Sequence, residues 1–213
     1  MSQSQSNSGT IATIIPLGVG GSREQILAQV KQNQPAQRVL PVIDVLVEDK
    51  NWVEELSAKL EILHVAVFKV NSYDDIKTIL LNESKASDRV VTTIPELAGA
   101  ATFIDAVKED AHNLENVELA IIPGHFAVAE NGAIWITEDL IKYRVLPFIA
   151  QQLAVVINKE NIVPNMHIAY DKIANTTYNF GVFIAGPSKT ADIEQSLVLG
   201  AHGPKGMMAF ILG

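Results

Sequence analysis

The spacing of apolar residues predicts helices and strands that alternate along the first part of the chain. Apolar positions recur at helical intervals in some segments and alternate as they do in strands in others. The predicted elements are, in chain order, a helix over 50–60, a strand over 64–70, a helix capped by Ser72 with Asp75, a strand over 89–94, a helix over 102–113 and a strand over 116–122. This order favours an α/β fold in which crossover helices join the strands of a sheet.

A different pattern follows, in which two short apolar runs flank the pair Asn131-Gly132. Since this pair is strongly favoured in tight hairpin turns, the runs Phe126 to Ala129 and Ala133 to Thr137 are predicted to pair antiparallel and to make the sheet mixed. The remaining predicted elements are strands over 153–157, 178–186 and 207–212 and helices over 165–174 and 190–199. The predicted fold class is therefore α/β, a mixed sheet with crossover helices.

The chain begins with MSQSQSNSGT, a polar segment of low complexity, and residues 1–20 are predicted to be a flexible N-terminal tail. A helix over 22–32 follows, because Ser22 and Gln25 form a capping-box pattern. The chain has 213 residues, of which 48% are hydrophobic and 19% charged, so it can bury one sizeable core. We therefore expect a single domain over 21–213.

Composition excludes several classes of function. The sequence has no cysteine, which excludes disulfides, a thiol nucleophile and iron–sulfur clusters held by this chain's own thiolates. The net charge of −8 argues against binding to nucleic acids or to a membrane surface. The five histidines do not pair at metal-ligand spacing, so no metal site is expected. Without a secretory leader or an apolar run long enough to cross a bilayer, the expected location is the cytoplasm.

The segment GPSKTADIEQ, residues 186–195, is the most informative candidate site, because it joins a predicted strand to a predicted helix through a tight turn. The amides of a helix start, the hydroxyls of Ser188 and Thr190 and the charge of Lys189 would suit an anion. The simpler alternative, which the local pattern favours, is that Ser188 or Thr190 only caps the helix and that Gly186 only forms the turn.

Helical spacing places the side chain of Glu194 among apolar neighbours and Asp192 on the opposite side. A carboxylate in an apolar setting must be paired, hydrogen-bonded or protonated, and a structural tether is a more common role for it than catalysis. Glu130, at the predicted hairpin turn, is ordinarily a solvated charge. His125 and His202 each adjoin a glycine in a loop, where simple loop hydrogen bonding is the favoured interpretation.

The closing segment resembles the signature of the LUD-domain family, in the branch called lactate utilization protein C. That family has a Gly-Pro-Ser-Arg-Thr-Ala-Asp-Ile-Glu run followed by Gly-x-His-Gly-Pro. This chain has GPSKTADIE at 186–194 and GAHGP at 200–204, and its AENG at 129–132 is similar to the family's Ala-Glu-Thr-Gly. Two positions depart from the pattern, since Lys189 replaces an arginine and Asn131 replaces a threonine.

The resemblance implies a fold related to ribose-5-phosphate isomerases and CoA transferases. It also implies a non-redox subunit of a system that oxidises L-lactate to pyruvate beside iron–sulfur partner proteins, with no cofactor bound by this chain alone. From the helix-start amides and the charge of Lys189, we expect the ligand to be a small carboxylate or phosphate. We predict that it binds in a cleft formed by the 186–190 turn, the AENG turn with Asn131 and Gly132, and the His202-Gly203 loop, with Asp192 and Glu194 among the ligand-binding residues.

Two alternatives remain open at the level of sequence. AENG is also similar to the Ser-Glu-Asn-Gly element of CoA transferases, whose glutamate attacks an acyl-CoA, so Glu130 is a candidate nucleophile. Ala129 stands where those enzymes have a serine, which argues against this hypothesis. The third hypothesis is a ligand-sensing protein that has lost the pathway.

Overall fold

The computed structural model describes residues 22–39, 41, 50–83, 88–105, 110–190 and 198–213. The predicted tail, residues 1–20, lies outside these ranges. The chain divides into two compact units, Met1–Asp44 and Val45–Gly213. In the first unit, helix α1 (Arg23–Gln32) begins at the capping box that the sequence predicts, formed by Ser22 and Gln25. Within the described ranges, none of the helices has the length and apolar content that a membrane span requires.

The second unit contains twelve strands and five α-helices in its described residues. The strands are β1 (Val65–Val70), β2 (Val90–Thr92), β3 (Thr102–Phe103), β4 (Leu119–Pro123), β5 (Phe126–Val128), β6 (Ile134–Thr137), β7 (Gln152–Asn158), β8 (Ile162–Val163), β9 (Gly181–Ile184), β10 (Lys189–Thr190), β11 (Val198–Leu199) and β12 (Gly206–Leu212). The helices are α2 (Trp52–Ile62), α3 (Tyr73–Glu83), α4 (Glu138–Ile141), α5 (Leu146–Ile149) and α6 (Met166–Ile173).

Six strands form a parallel sheet in the order β1-β12-β7-β4-β2-β3. The central strands β4, β7 and β12 are continuous apolar runs, as expected for parallel strands covered on both faces. Successive residues of β7 point to opposite faces, so Val155 and Ile157 join one core and Ala154 and Val156 another. The α/β fold class predicted from the alternation of elements is confirmed.

The predicted hairpin at Asn131-Gly132 is present, with β5 and β6 paired antiparallel. It belongs to a second sheet, in the order β8-β5-β6-β9, and not to the sheet of parallel strands. The chain crosses from β4 to this second sheet at Gly124, where a Cβ would lie 2.7 Å from Cγ2 of Ile134. A glycine at this position therefore allows the two sheets to pack closely.

Helix α3, the parallel sheet, the second sheet and helix α6 form four successive layers. One face of the parallel sheet packs against α3 through Ile76 and Leu80, and its other face shares a core with α2 and one face of the second sheet. The opposite face of the second sheet carries Phe126 and Trp135, which pack against Ala169 and Ile173 of α6. The second sheet therefore has α6 on the face that does not meet the parallel sheet.

Two predicted helices are wrong where the structure describes them. Residues 102–113 begin as strand β3, which pairs with β2, and end in a 3-10 turn at Ala111–Leu114. Residues 190–199 begin and end in an extended conformation, because β10 and β11 pair antiparallel. Residues 191–197 lie outside the described ranges.

Candidate functional site

Several of the predicted site residues lie at the C-terminal end of α2 and at the start of the last strand. We call this region the turn cluster; it consists of Leu63, His64, Gly132, Gly186, Ser188, Lys189, His202 and Gly203. Because His64 directly precedes β1 and Lys205 directly precedes β12, the turn cluster adjoins the amino ends of these two parallel strands. Ligands of open α/β sheets usually bind at the carboxyl ends of the strands, so this is not the edge where a crevice is expected.

Ser188 joins the turn after β9 to the loop before β12. Its hydroxyl oxygen accepts a hydrogen bond from the backbone amide of His202 at 3.3 Å, and its own amide donates to the carbonyl of Pro204 at 2.9 Å. A Cβ on Gly203 would lie 3.3 Å from Cβ of Ser188. The structure therefore brings Ser188, His202 and Gly203 together.

Leu63, the residue after α2, contacts both of the tight turns that the sequence singles out. Gly132 has a φ of +74°, and a Cβ there would lie 2.9 Å from Cδ1 of Leu63. Gly186 has a φ of +87°, and a Cβ there would lie 3.2 Å from the carbonyl oxygen of Leu63. Both positions thus combine a left-handed backbone with a close approach, and both favour glycine.

Lys189 brings a positive charge to the same place. Its ammonium donates to the carbonyl oxygen of Leu63 at 2.7 Å and lies 3.2 Å from Nδ1 of His64. This contact satisfies a carbonyl at the C-terminal end of α2, which is a common structural role for a lysine. An ammonium has three N–H donors, so donors beyond the one on Leu63 could serve an anion.

The polar residues of the hairpin turn have structural partners of their own. Oε2 of Glu130 accepts a hydrogen bond from the amide of Met166, the first residue of α6, at 2.9 Å. The side-chain oxygen of Asn131 accepts from the amide of Ala133 at 3.0 Å and closes the turn. Among the described residues, the hydrogen-bond partner of the Glu130 carboxylate is therefore the start of α6, and not Ser188 or His202.

Of the remaining predicted site residues, Thr190 is described, and it is not at the start of a helix. Thr190 is the last residue of β10 and pairs with Val198, so it offers the backbone of a strand in place of a helix N-terminus. Asp192 and Glu194 lie outside the described residues. Their predicted roles as ligand-binding residues therefore stay predictions.

A second region, built mainly from side chains, encloses a cavity of about 520 Å³. We call it the aromatic cleft and define it by His125, Phe126, Trp135, Asp139, Lys172 and Tyr178. It lies on the α6 side of the second sheet and begins two residues after the carboxyl end of β4. The second sheet therefore lies between this cleft and the parallel sheet.

Three polar groups form a short hydrogen-bonded chain in the aromatic cleft. Nε2 of His125 lies 2.5 Å from the hydroxyl oxygen of Thr137, and that hydroxyl donates to Oδ1 of Asp139. If the Thr137 proton points to Asp139, the Thr137 oxygen accepts from Nε2–H of His125, which assigns the proton to that nitrogen. The Thr137 side chain is buried, whereas the Asp139 side chain is 67% exposed, so the network runs from the protein interior to solvent.

Glu138 fixes the segment that closes the aromatic cleft. Its carboxylate accepts hydrogen bonds from the amides of Asn179 at 2.7 Å and Phe180 at 2.6 Å. Burial raises the pKa of this carboxyl, but the hydrogen bonds, the largest from the Asn179 amide, outweigh burial and lower the pKa from its ordinary 4.5 to about 2. Glu138 therefore stays ionised at neutral pH and ties α4 to the residues just before β9.

Aromatic rings form the apolar wall of the aromatic cleft. Trp135 packs edge-to-face with Tyr178, with 5.2 Å between ring centroids, and it also packs against its cross-strand neighbour Phe183. A Cβ on Gly181 would overlap the Trp135 indole, so glycine leaves the room that this ring needs. Lys172 of α6 places its ammonium 5.2 Å from the centre of the Phe126 ring.

No motif in the sequence marks the aromatic cleft as a site. His125 adjoins a glycine in a loop, but Thr137, Asp139, Lys172 and Tyr178 belong to no motif. The signal that could have found part of it is the hairpin, because residues two apart on a strand, such as Trp135 and Thr137, face the same side of a sheet.

Comparison with known proteins identifies the family to which the chain belongs. The sequence profile of the LUD domain matches residues 53–212, which is more than half of the chain. The chain therefore belongs to the LUD domain family, as its closing motif predicts.

Two similar curated proteins are both described as lactate utilization protein C. The chain is 26% identical over 160 residues to lactate utilization protein C of Oceanobacillus iheyensis, covering 70% of this chain and 68% of that protein. It is 27% identical over 192 residues to lactate utilization protein C of a Geobacillus species, covering 87% of this chain and 77% of that protein. Among solved structures, a DUF162 family protein from Deinococcus radiodurans has a TM-score of 0.57 at 15% identity, covering 76% of this chain and 96% of that one. This last similarity concerns the fold alone.

Proposed function

We propose that the chain acts in lactate utilization as a non-redox subunit, which binds a small carboxylate or phosphate at the turn cluster and assembles with iron–sulfur proteins. The role in lactate utilization is supported by the relatives named lactate utilization protein C, which align with most of this chain. Because this sequence has no cysteine, iron–sulfur clusters held by thiolates would belong to its partners.

The observation that carries the ligand part of this proposal is the position of Lys189 beside Ser188 and the His202 loop. The exposed ammonium of Lys189 and the hydroxyl of the adjacent Ser188 are donors that suit a carboxylate or a phosphate. Among the described residues of this segment, Thr190 is extended and offers no helix-start amide. The charge of Lys189 therefore has the largest part in anion binding.

Calorimetric titration with L-lactate, pyruvate, inorganic phosphate and CoA tests the ligand site. We expect at least one of these anions to bind saturably, and Lys189→Met to weaken that binding by about tenfold or more, the equivalent of one charge-assisted hydrogen bond. Lys77→Met is the matched control, because Lys77 is on α3, on the opposite side of the parallel sheet, and pairs there with Asp74. If all four anions fail to bind, or if Lys189→Met binds them as the wild type does, the turn cluster is not the anion site.

Assembly is tested by co-expression with any cysteine-rich proteins that neighbouring genes encode. We expect the chain to co-purify with them in a brown complex that contains iron, and lactate oxidation to appear in that complex but not in the isolated chain. Lactate oxidation by the isolated chain would contradict the non-redox role.

A CoA-transferase-like reaction is the second candidate, and the exposed carboxylate of Glu130 favours it, since one of its oxygens is already oriented by the Met166 amide. In that reaction a carboxylate oxygen attacks the thioester carbonyl, expels the CoA thiolate and leaves a mixed anhydride on Glu130. The test is exchange of label between an acyl-CoA and its free acid. Exchange that is lost in Glu130→Gln but kept in Glu160→Gln, a change at another exposed glutamate, would establish this activity; the subunit role predicts no exchange in either protein or in the wild type.

A further inference from the structure

The aromatic cleft has no part in the proposed function and lies at the other end of α6 from the hairpin turn. Glu130 holds the first residue of α6, whereas Lys172 and Ile173 of its last turn line the aromatic cleft. We propose that the aromatic cleft is a second ligand site, and that it takes a planar heteroaromatic ring bearing an N–H donor, such as a nucleobase or a nicotinamide.

Size separates this ligand from the small anions of the turn cluster. Cavities that hold small organic molecules usually measure about 300–1,000 Å³, and the aromatic cleft, at about 520 Å³, is within this range. A three-carbon acid such as lactate would fill only a small part of it and would leave the aromatic wall unused. The cavity therefore fits a molecule that contains at least one ring.

The polar end of the aromatic cleft selects a hydrogen-bond donor. An ionised carboxylate only accepts hydrogen bonds, and it can accept more than one. The Thr137 hydroxyl occupies Oδ1 of Asp139 and fixes its direction, and His125 in turn holds Thr137. Because the Asp139 side chain is also 67% exposed, it can accept an N–H group from a ligand in the cavity.

The apolar wall selects a flat ring. Tyr178 is 42% exposed, and its orientation is fixed by its edge-to-face contact with Trp135. A planar ligand can stack on a pre-oriented aromatic ring without the loss of side-chain freedom that a flexible residue would suffer. An N–H donor for Asp139 and a flat face for Tyr178 together define the proposed class of ligand.

Tryptophan fluorescence tests this proposal, because the chain has two tryptophans, Trp52 and Trp135. The variant Trp52→Phe leaves Trp135, in the wall of the aromatic cleft, as the only reporter. We would titrate it with adenosine, guanosine and nicotinamide, and with L-lactate and cyclohexanecarboxylate as controls that lack an aromatic ring. We expect a saturable change in fluorescence with at least one ring compound and none with the two controls.

Two variants in the Trp52→Phe background locate the binding. Asp139→Asn removes the carboxylate acceptor and Tyr178→Leu removes the ring while keeping an apolar side chain, and each should weaken binding by about tenfold. Lys77→Met should leave it unchanged, and circular dichroism checks that every variant folds. The proposal is wrong if none of the three ring compounds binds saturably, or if both variants bind them as the parent does. Loss of anion binding in Lys189→Met would leave this result unaffected, so the two proposals fail separately.

Discussion

In the turn cluster, contacts run mainly through backbone groups and glycines, whereas in the aromatic cleft they run through side chains. Gly132 and Gly186 place two turns against Leu63, and Ser188 bonds to backbone groups of the neighbouring loop. The aromatic cleft instead depends on a carboxylate, an imidazole and rings from both β-strands and loops. A region built from backbone tolerates few residue types at its turns, and this explains why the turn cluster carries a contiguous motif while the aromatic cleft does not.

The two regions also differ in their position relative to the parallel sheet, because the second sheet lies between that sheet and the aromatic cleft. The turn cluster adjoins the amino ends of β1 and β12, and the aromatic cleft begins just after the carboxyl end of β4. A recognisable motif therefore marks one region, while a cavity lined by side chains marks the other. The following variants separate the contribution of backbone from that of side chains.

The largest effect is expected for Gly132→Val. This change forces a β-branched residue into a left-handed backbone and drives its side chain into Leu63, so the free energy of unfolding should fall by about 3 kcal/mol or more. Gly99→Val is the matched control, because Gly99 has a φ of +97° but open space around its Cβ position. Chemical denaturation should show the smaller loss for Gly99→Val. Equal losses would mean that strain alone, and not packing against Leu63, accounts for the glycine.

Thr137→Val should have the next largest effect. It replaces a buried hydroxyl that bridges His125 and Asp139 with a methyl group, and it leaves both partners without that hydrogen bond. Since Asp139 is partly solvated, we expect a loss of about 1–2 kcal/mol in unfolding free energy, measured by denaturation with urea. Thr137→Ser keeps the hydroxyl and should restore most of the stability; a serine variant no better than valine would contradict the role of the bridge.

Lys189→Met should have a smaller effect on stability. The lysine satisfies the carbonyl of Leu63 at an exposed helix end, a contact that contributes about 0.5 kcal/mol. Lys189→Arg should retain both stability and anion binding, because it restores the charge and adds a second donor arm. A loss of stability in the methionine variant as large as that of Thr137→Val would show that Lys189 is mainly structural.

The effect of Glu138→Gln is expected to depend on pH, to be complete at neutral pH and to disappear in acid. The pKa of Glu138 is about 2 in the folded protein and near 4.5 when unfolded, so its contribution to stability is complete above pH 4.5 and is lost as pH falls toward 2. The melting temperature of the wild type should therefore fall more steeply over this range than that of Glu138→Gln. Parallel curves for the two proteins would contradict the assignment of Glu138 as an anchor for Asn179 and Phe180.

The sequence predicted the elements that local pattern determines. The capping box of Ser72 and Asp75 forms as expected at α3, and Asn131-Gly132 turns the hairpin. It did not predict β3, since two residues at the edge of a sheet are stabilised by pairing with β2 and not by their own pattern. The second sheet was also missed, because alternation of apolar residues shows that a strand has two faces but not which sheet it joins.

The two candidate regions also differ in how far the sequence could predict them. Part of the turn cluster could be predicted, because its residues belong to contiguous motifs. Gly132 and Gly186 have the left-handed backbone that favours glycine, and the hydroxyl of Ser188 accepts a hydrogen bond from the His202 amide. The aromatic cleft could not be predicted, because its contacts depend on the pairing of β6 with β9, which places Phe183 beside Trp135 and brings the preceding Tyr178 to the same ring, some forty positions away in the sequence. Long-range register of this kind leaves no local trace in the sequence.

The most direct test of two independent ligand sites is a crossed titration of Lys189→Met and Asp139→Asn. Each variant is titrated with the anion that the wild type binds best and with the ring compound that it binds best. We predict that Lys189→Met weakens only the anion and Asp139→Asn only the ring compound, each by about tenfold. If either variant weakens both ligands equally, or if Asp139→Asn alone abolishes anion binding, the two regions are not separate sites.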